Sequence, residues 1–140
     1  MINKMKSTIT PLLALALLSM ANISSACEIP EGWQEMTAET PGSQKAAIRL
    51  PSDTTLLGQP FDVELMTCVE NSVSIKRVTV NATMPQHNHG MNYAPEITTI
   101  SDNRYRASGM LFHMPGKWHI TVEAHGANNI HRFALELSVK

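Results

Sequence analysis

The chain has 140 residues, with 11 basic and 12 acidic side chains. This near-neutral balance contains no basic patch, which excludes a phosphate-driven nucleic-acid binder. One domain with one core is the expectation from length, because a leader at the N-terminus leaves about 114 residues for the fold.

That leader is residues 1–26. Lys4 and Lys6 make a positive start, and the apolar run from Pro11 to Met20 is too short to stay in a bilayer. Ser24-Ser25-Ala26 supplies the small residues of a cleavage site, so a secretory signal peptide is expected, with a periplasmic or secreted product. Without Lys4 and Lys6 the net charge falls to near −3. Cys27 then stands at the cut, and two readings are open. It can pair with Cys68 in an oxidising compartment. Alternatively it carries lipid and anchors the protein to a membrane, although a lipobox normally has Leu where this chain has Ser24.

Residues 27–43, with Pro30, Pro41 and Gly42, read as an irregular arm with one turn of helix at most. Residues 44–140 read as the folded domain. Ala47 to Leu50 is a short strand stopped by Pro51. After the turn signal Gly58-Gln59-Pro60, Phe61, Val63, Leu65 and Thr67 alternate with Asp62, Glu64, Met66 and Cys68, the period of a half-buried strand. Val73 to Met84 is expected to be the longest strand, with Val78, Val80, Ala82 and Met84 inward and Pro85 ending it. Glu96–Ile100 and Arg104–Phe112 flank a hairpin turn at Ser101-Asp102-Asn103. After Pro115-Gly116, Trp118, Ile120 and Val122 form an inward row, and a last strand from Ile130 to Val139 places Phe133, Leu135 and Leu137 on one face. About seven short strands without a helical period predict an all-β, immunoglobulin-like antiparallel β-sandwich. The Cys–Trp–Cys spacing of antibody domains is missing. The sequon Asn81-Ala82-Thr83 lies inside a strand and carries little weight.

The chemistry gathers in Met84-Pro-Gln-His-Asn-His-Gly-Met-Asn-Tyr93. His87, His89 and Met91 are spaced by two, so an extended segment projects them to one side, with Gly90 allowing a tight turn. Imidazole suits copper and zinc, and thioether sulfur selects Cu(I). The stretch has no carboxylate, which argues against calcium, magnesium and a hydrolytic zinc site. The opposing reading is an exposed polar loop whose methionines cap the core. It is strongest for Met84, which continues an inward row. Phe112-His113-Met114-Pro115-Gly116 is a second Met-Pro strand end. His113 or Met114 completes a coordination sphere if both strand ends lie at the same end of the fold; otherwise Met114 packs under the turn and His113 is solvated. His119, His125 and His131 are expected to face solvent. Nothing supports catalysis: a triad context, a phosphate loop and zinc-hydrolase spacing are all missing. A blue-copper site needs a thiolate beside its histidines, and Cys68 is remote from them.

Four pieces together resemble the YtkA-like and FixH-like exported β-sandwich domains, across roughly Leu50 to Leu137. They are Gly58-Gln59-Pro60-Phe61, Met84-Pro85-Gln86-His87-Asn88-His89-Gly90-Met91, Tyr105-Arg106-Ala107-Ser108-Gly109 and Met114-Pro115-Gly116-Lys117-Trp118. The resemblance implies an immunoglobulin-like sandwich associated with copper handling or metal efflux. FixH-like proteins also carry a membrane helix and assist oxidase assembly; this sequence has no such helix. The expectation is an exported copper carrier, chaperone or resistance factor, not an enzyme. Its metal ligands are drawn from His87, His89, Met91, His113 and Met114, with Cu(I) preferred to Cu(II). Its partner is a periplasmic or membrane-bound copper-handling or efflux protein. The rival expectation is a metal-free interaction module that docks on a membrane complex.

Overall fold

The computed structural model describes residues 27–42, 44–52, 57–69 and 74–140. The signal peptide expected at 1–26 lies outside the described residues. Nine strands are present among them: β1 Gln34–Ala38, β2 Lys45–Arg49, β3 Phe61–Cys68, β4 Arg77–Met84, β5 His89–Gly90, β6 Glu96–Ser101, β7 Arg104–Met110, β8 Gly116–His125 and β9 Ile130–Val139. Every pairing between them is antiparallel, in the order β5-β4-β8-β9-β1-β2-β3-β7-β6. The all-β antiparallel expectation is met, with nine strands where about seven were expected. They form one continuous curled sheet.

The curl is made at β1, inside the segment expected to be an irregular arm. Gln34, Glu35 and Met36 pair with β2, whereas Thr37 and Ala38 pair with β9. One five-residue strand therefore turns the sheet from one half into the other. Met36 is its single buried residue and enters the core. A strand with one large apolar side chain and an exposed alanine gives a weak period-two signal, which is why the arm reads as irregular.

The inward rows follow the pleat. Val63, Leu65 and Thr67 of β3, Val78, Val80, Ala82 and Met84 of β4, and Trp118, Ile120, Val122 and Ala124 of β8 are all buried. Trp118, Phe112 and Phe133 are the largest fully buried side chains, and Phe112 stacks between Phe61 at 5.1 Å and Trp118 at 4.8 Å. Truncating an aromatic of this kind costs about 3–5 kcal/mol. Two strand expectations need correction. The strand expected from Val73 begins at Arg77, and the longest strands are β8 and β9 at 10 residues each. His131, expected to face solvent, is buried at 6% exposure, because it shares the inward row of Phe133.

The outer face of β2 and β3 is also covered at one place. Ala47 and Met66 are register partners on the outward rows, yet both are buried. Cys68 lies on the same outward row, and a disulfide ties it to Cys27 across a separation of 41 residues, with the Cα atoms 5.9 Å apart. Farther along the arm, Trp33 is flanked by the guanidinium groups of Arg49 and Arg104, 5.5 and 5.1 Å from its ring centre. Such contacts contribute about 0.5–1 kcal/mol each at exposed sites. The sulfur of Cys27 is thus used in the bridge, the first of its two expected readings. No helix of the described residues is long and apolar enough to cross a membrane.

Candidate metal centre

Both Met-Pro segments lie at one end of the curled sheet. β4 and β8 are paired through Thr83 and His119, so the chain leaving β4 at Met84 emerges beside the chain entering β8 at Gly116. Met84 is 1% exposed, and its side chain reaches the backbone of Gly116. A Cβ added at Gly116 would lie 2.6 Å from Met84 Cε. Gly116 also has φ of 133°, a conformation that favours glycine. Met84 is therefore a packing residue, as its place in the inward row implies.

The first loop is not extended. Pro85–His87 forms a 3-10 turn, Pro85 supplying its first position and Asn88 closing it with a left-handed backbone at φ 48° and ψ 44°. The left-handed residue is Asn88, not Gly90, which pairs with Thr83 in β5. The expectation that His87 and His89 project to the same side rests on extended backbone, which this turn does not have. His87 ends the turn and is exposed. His89 follows on β5, opposite Met84, and faces the second loop.

There it meets His113. The Nε2 atoms of the two rings are in direct contact, and the rings stand edge to face with centres 4.5 Å apart. His113 in turn stands edge to face on Trp118, with centres 5.6 Å apart. The indole Nε1 of Trp118 donates to the carbonyl oxygen of Met114 at 3.0 Å. A buried ring thereby fixes both the main chain of the second loop and the face on which His113 rests. Sequence reading took Trp118 as a core residue only; the four-residue spacing from Met114 was the available signal for its second role. Met91 is half-buried against the core, held by its amide donating to the Ala82 carbonyl at 3.1 Å. Met114 is exposed at 36%.

His89 and His113 are thus brought together. His87 lies on the neighbouring turn, and Met91 and Met114 lie on the two segments that carry the pair. Among the described residues no three His, Cys, Asp or Glu side chains gather as a metal-binding group. What this end brings together is two imidazole nitrogens, with His87 and the thioethers of Met91 and Met114 on the adjoining segments. That donor set suits a soft or borderline ion and not calcium or magnesium.

The other histidines are placed differently. His119 Nε2 is 3.7 Å from a carboxylate oxygen of Glu39. His125 Nε2 is 3.2 Å from Glu123 Oε2 but lacks hydrogen-bond alignment. Glu123 Oε1 accepts from Arg132 Nε and Nη2 at 2.9 and 2.6 Å. That bond to Arg132 holds the Glu123 carboxyl below its ordinary value against the opposing effect of burial.

The fold and this pair of strand-end loops define a small all-β protein with a His/Met-bearing end. The YtkA-like family model matches residues 59–123, which span β3 through most of β8 and include both Met-Pro segments. The resemblance drawn from the sequence holds over that stretch. No curated protein and no solved structure matches the chain.

Proposed function

We propose that the chain is an exported copper-binding protein that carries or sequesters the ion, with His89 and His113 as its central ligands, and that it is not an enzyme. The observation that carries this reading is the convergence of the two Nε2 atoms from separate loops at the end of the sheet. Met91 and Met114 are the sulfur donors on the same two segments, and His87 is the reserve imidazole on the adjoining turn. Thioether sulfur with imidazole favours Cu(I) over Cu(II). The two halves of the curled sheet are read as the layers of an immunoglobulin-like sandwich, a rigid base for loops that carry function. Copper would supply the transferable charge; the protein's own residues orient the imidazoles, through Trp118 beneath His113 and β5 beneath His89. A partner that receives or delivers the ion in the periplasm completes the reading.

Competition with a Cu(I) chelator tests it. The double variant His89→Ala/His113→Ala should lose tight binding while its folding stability falls by about 1 kcal/mol, the hydrogen bond between the two rings. His87→Ala should weaken binding less than either single change in the pair. Met91→Ala and Met114→Ala should weaken Cu(I) more than Cu(II). Binding should fade on acidification, because only neutral imidazole ligates. Unchanged affinity in the double variant would sink the copper reading, and the metal-free interaction module would take its place.

A further inference from the structure

The curled sheet does not close. Among the described residues β5 covers β4 only at Thr83 and Met84, and no strand pairs with the side of β4 away from β8 from Arg77 to Asn81. β6 is the other end of the strand order and, among the described residues, pairs only with β7. These two free edges border the same cleft, about 520 Å³ in volume. Ile97, Thr99 and Ser101 line one wall from alternate positions of β6, Arg77 and Val78 line the other, and Tyr105 contributes from β7.

Free strand edges are templates for another strand, and proteins usually blunt them with Pro, Lys, inward charge or a bulge. β6 reads Glu-Ile-Thr-Thr-Ile-Ser. It has no Pro, Lys or Arg, and its only charge is Glu96 at the start. Its one irregularity lies between Thr99 and Ser101, at the hairpin tip. The run Ile97–Ile100 is composed of strong strand formers. Ile100 is 47% exposed. A long unguarded edge facing a second free edge is costly to keep unless something pairs with it.

We propose that this cleft takes up an extended segment of a partner protein as an added β-strand. Main-chain hydrogen bonds to the β4 and β6 edges would hold it, as in other strand-addition complexes. Alternate side chains of the segment would face Val78, Ile97 and Tyr105, so those are apolar. Charge gives the segment its end group. Lys76 and Arg77 are exposed on the β4 lip and make no ion pair among the described residues, against the single carboxylate of Asp102 on the opposite lip. The segment therefore carries acidic side chains at that end. The cleft lies at the end of β4 opposite Met84, so the added strand is separate from the His89–His113 centre.

The test uses blocked synthetic peptides of alternating Val and Thr with two Glu at one end, with two Lys in their place, or interrupted by Pro. Amide NMR of the chain should show the acidic peptide perturbing Arg77–Asn81 and Glu96–Thr99. The basic peptide should bind about tenfold more weakly, and Lys76→Glu/Arg77→Glu should reverse that preference. The Pro peptide should not bind. Thr99→Lys, at an exposed position, should abolish the perturbation while leaving the rest of the spectrum in place. Perturbation away from both edges, equal binding of the Pro peptide, or no perturbation at millimolar peptide would overturn the proposal. So would concentration-dependent self-association through β6, which would make a second copy of the chain the occupant.

Discussion

The two ends of the curled sheet are fastened by opposite means. At one end Cys27 is bonded to Cys68, and from there the arm runs back to Trp33, held between Arg49 and Arg104 beside the middle of β3. At the other, some seven residues farther along β3 and so roughly 23 Å away, two loops meet through Met84 against Gly116 and His89 against His113. The first set of contacts has an obvious stabilising use: a cross-link, and a ring covered by cations. The second does not. Two imidazoles in contact gain one modest hydrogen bond, about 1 kcal/mol net, and any apolar pair would pack there as well. Packing explains Met84 and Gly116; it does not explain why imidazoles face each other above them. The contrast separates residues that hold the fold from residues that the fold holds.

The largest expected effect breaks the covalent end. Replacing both cysteines, Cys27→Ser with Cys68→Ser, releases a loop of 41 residues, which in the chain-entropy account lowers stability by about 4 kcal/mol. On the proposed copper reading, affinity at the far end should stay within about twofold, since sites this distant with no shared partner behave independently. Denaturant unfolding and chelator competition on the same variant check both halves. A large loss of copper affinity in a folded sample would show that the two ends are coupled.

The next effect breaks the packed end. Gly116→Ala puts a Cβ where Met84 Cε lies and imposes a side chain on a backbone with φ of 133°. Stability should fall by about 2 kcal/mol, and copper affinity should fall with it, because the loop bearing His113 must shift. Met84→Val shortens a buried side chain and costs stability by itself, but it removes the contact, so the double variant should lose less than the sum of the two single changes. Strict additivity would mean that the contact contributes nothing. Thermal unfolding with and without copper separates the outcomes.

The same contrast governs what was legible in the sequence. β3, β4 and β8 carry alternation, and their inward rows could be read residue by residue because the pleat has period two. β1 could not: its only core residue is Met36, and its role comes from pairing with β2 and β9, partners distant in sequence. His131 was readable in principle, since it shares its parity with Phe133, but its residue type favoured solvent. At the candidate centre, the residue types of both Met-Pro segments were legible, but their common end entered only as a condition, because it depends on β4 pairing with β8. The partner of His89 could not. The choice between His87 and His113 turned on the 3-10 turn started by Pro85 and closed by Asn88 in a left-handed conformation, a local event that spacing by two cannot express.

The smallest expected effect lies on the outer face of β8 and β9, between the two ends. Glu123 accepts two bonds from Arg132, its cross-strand register partner, and its carboxyl is held below the ordinary glutamate value chiefly by that bond. A carboxyl depressed in the folded state contributes stability that is fully present above its unfolded pKa. That contribution is lost as pH falls below about 4.5, the ordinary value, and through the lower folded one. Arg132→Gln removes the bond, so it should lower stability slightly at neutral pH. The difference from wild type should shrink steadily as pH falls through that window, once Glu123 is protonated in both proteins. Arg132 is exposed and the pair is screened by solvent, so the effect should stay below those of the disulfide and of Gly116 and weaken further in high salt. Urea midpoints of both proteins from neutral to acid pH measure it. A gap that does not close on acidification would show that Arg132 acts through something other than a carboxylate, such as the packing of its aliphatic stem.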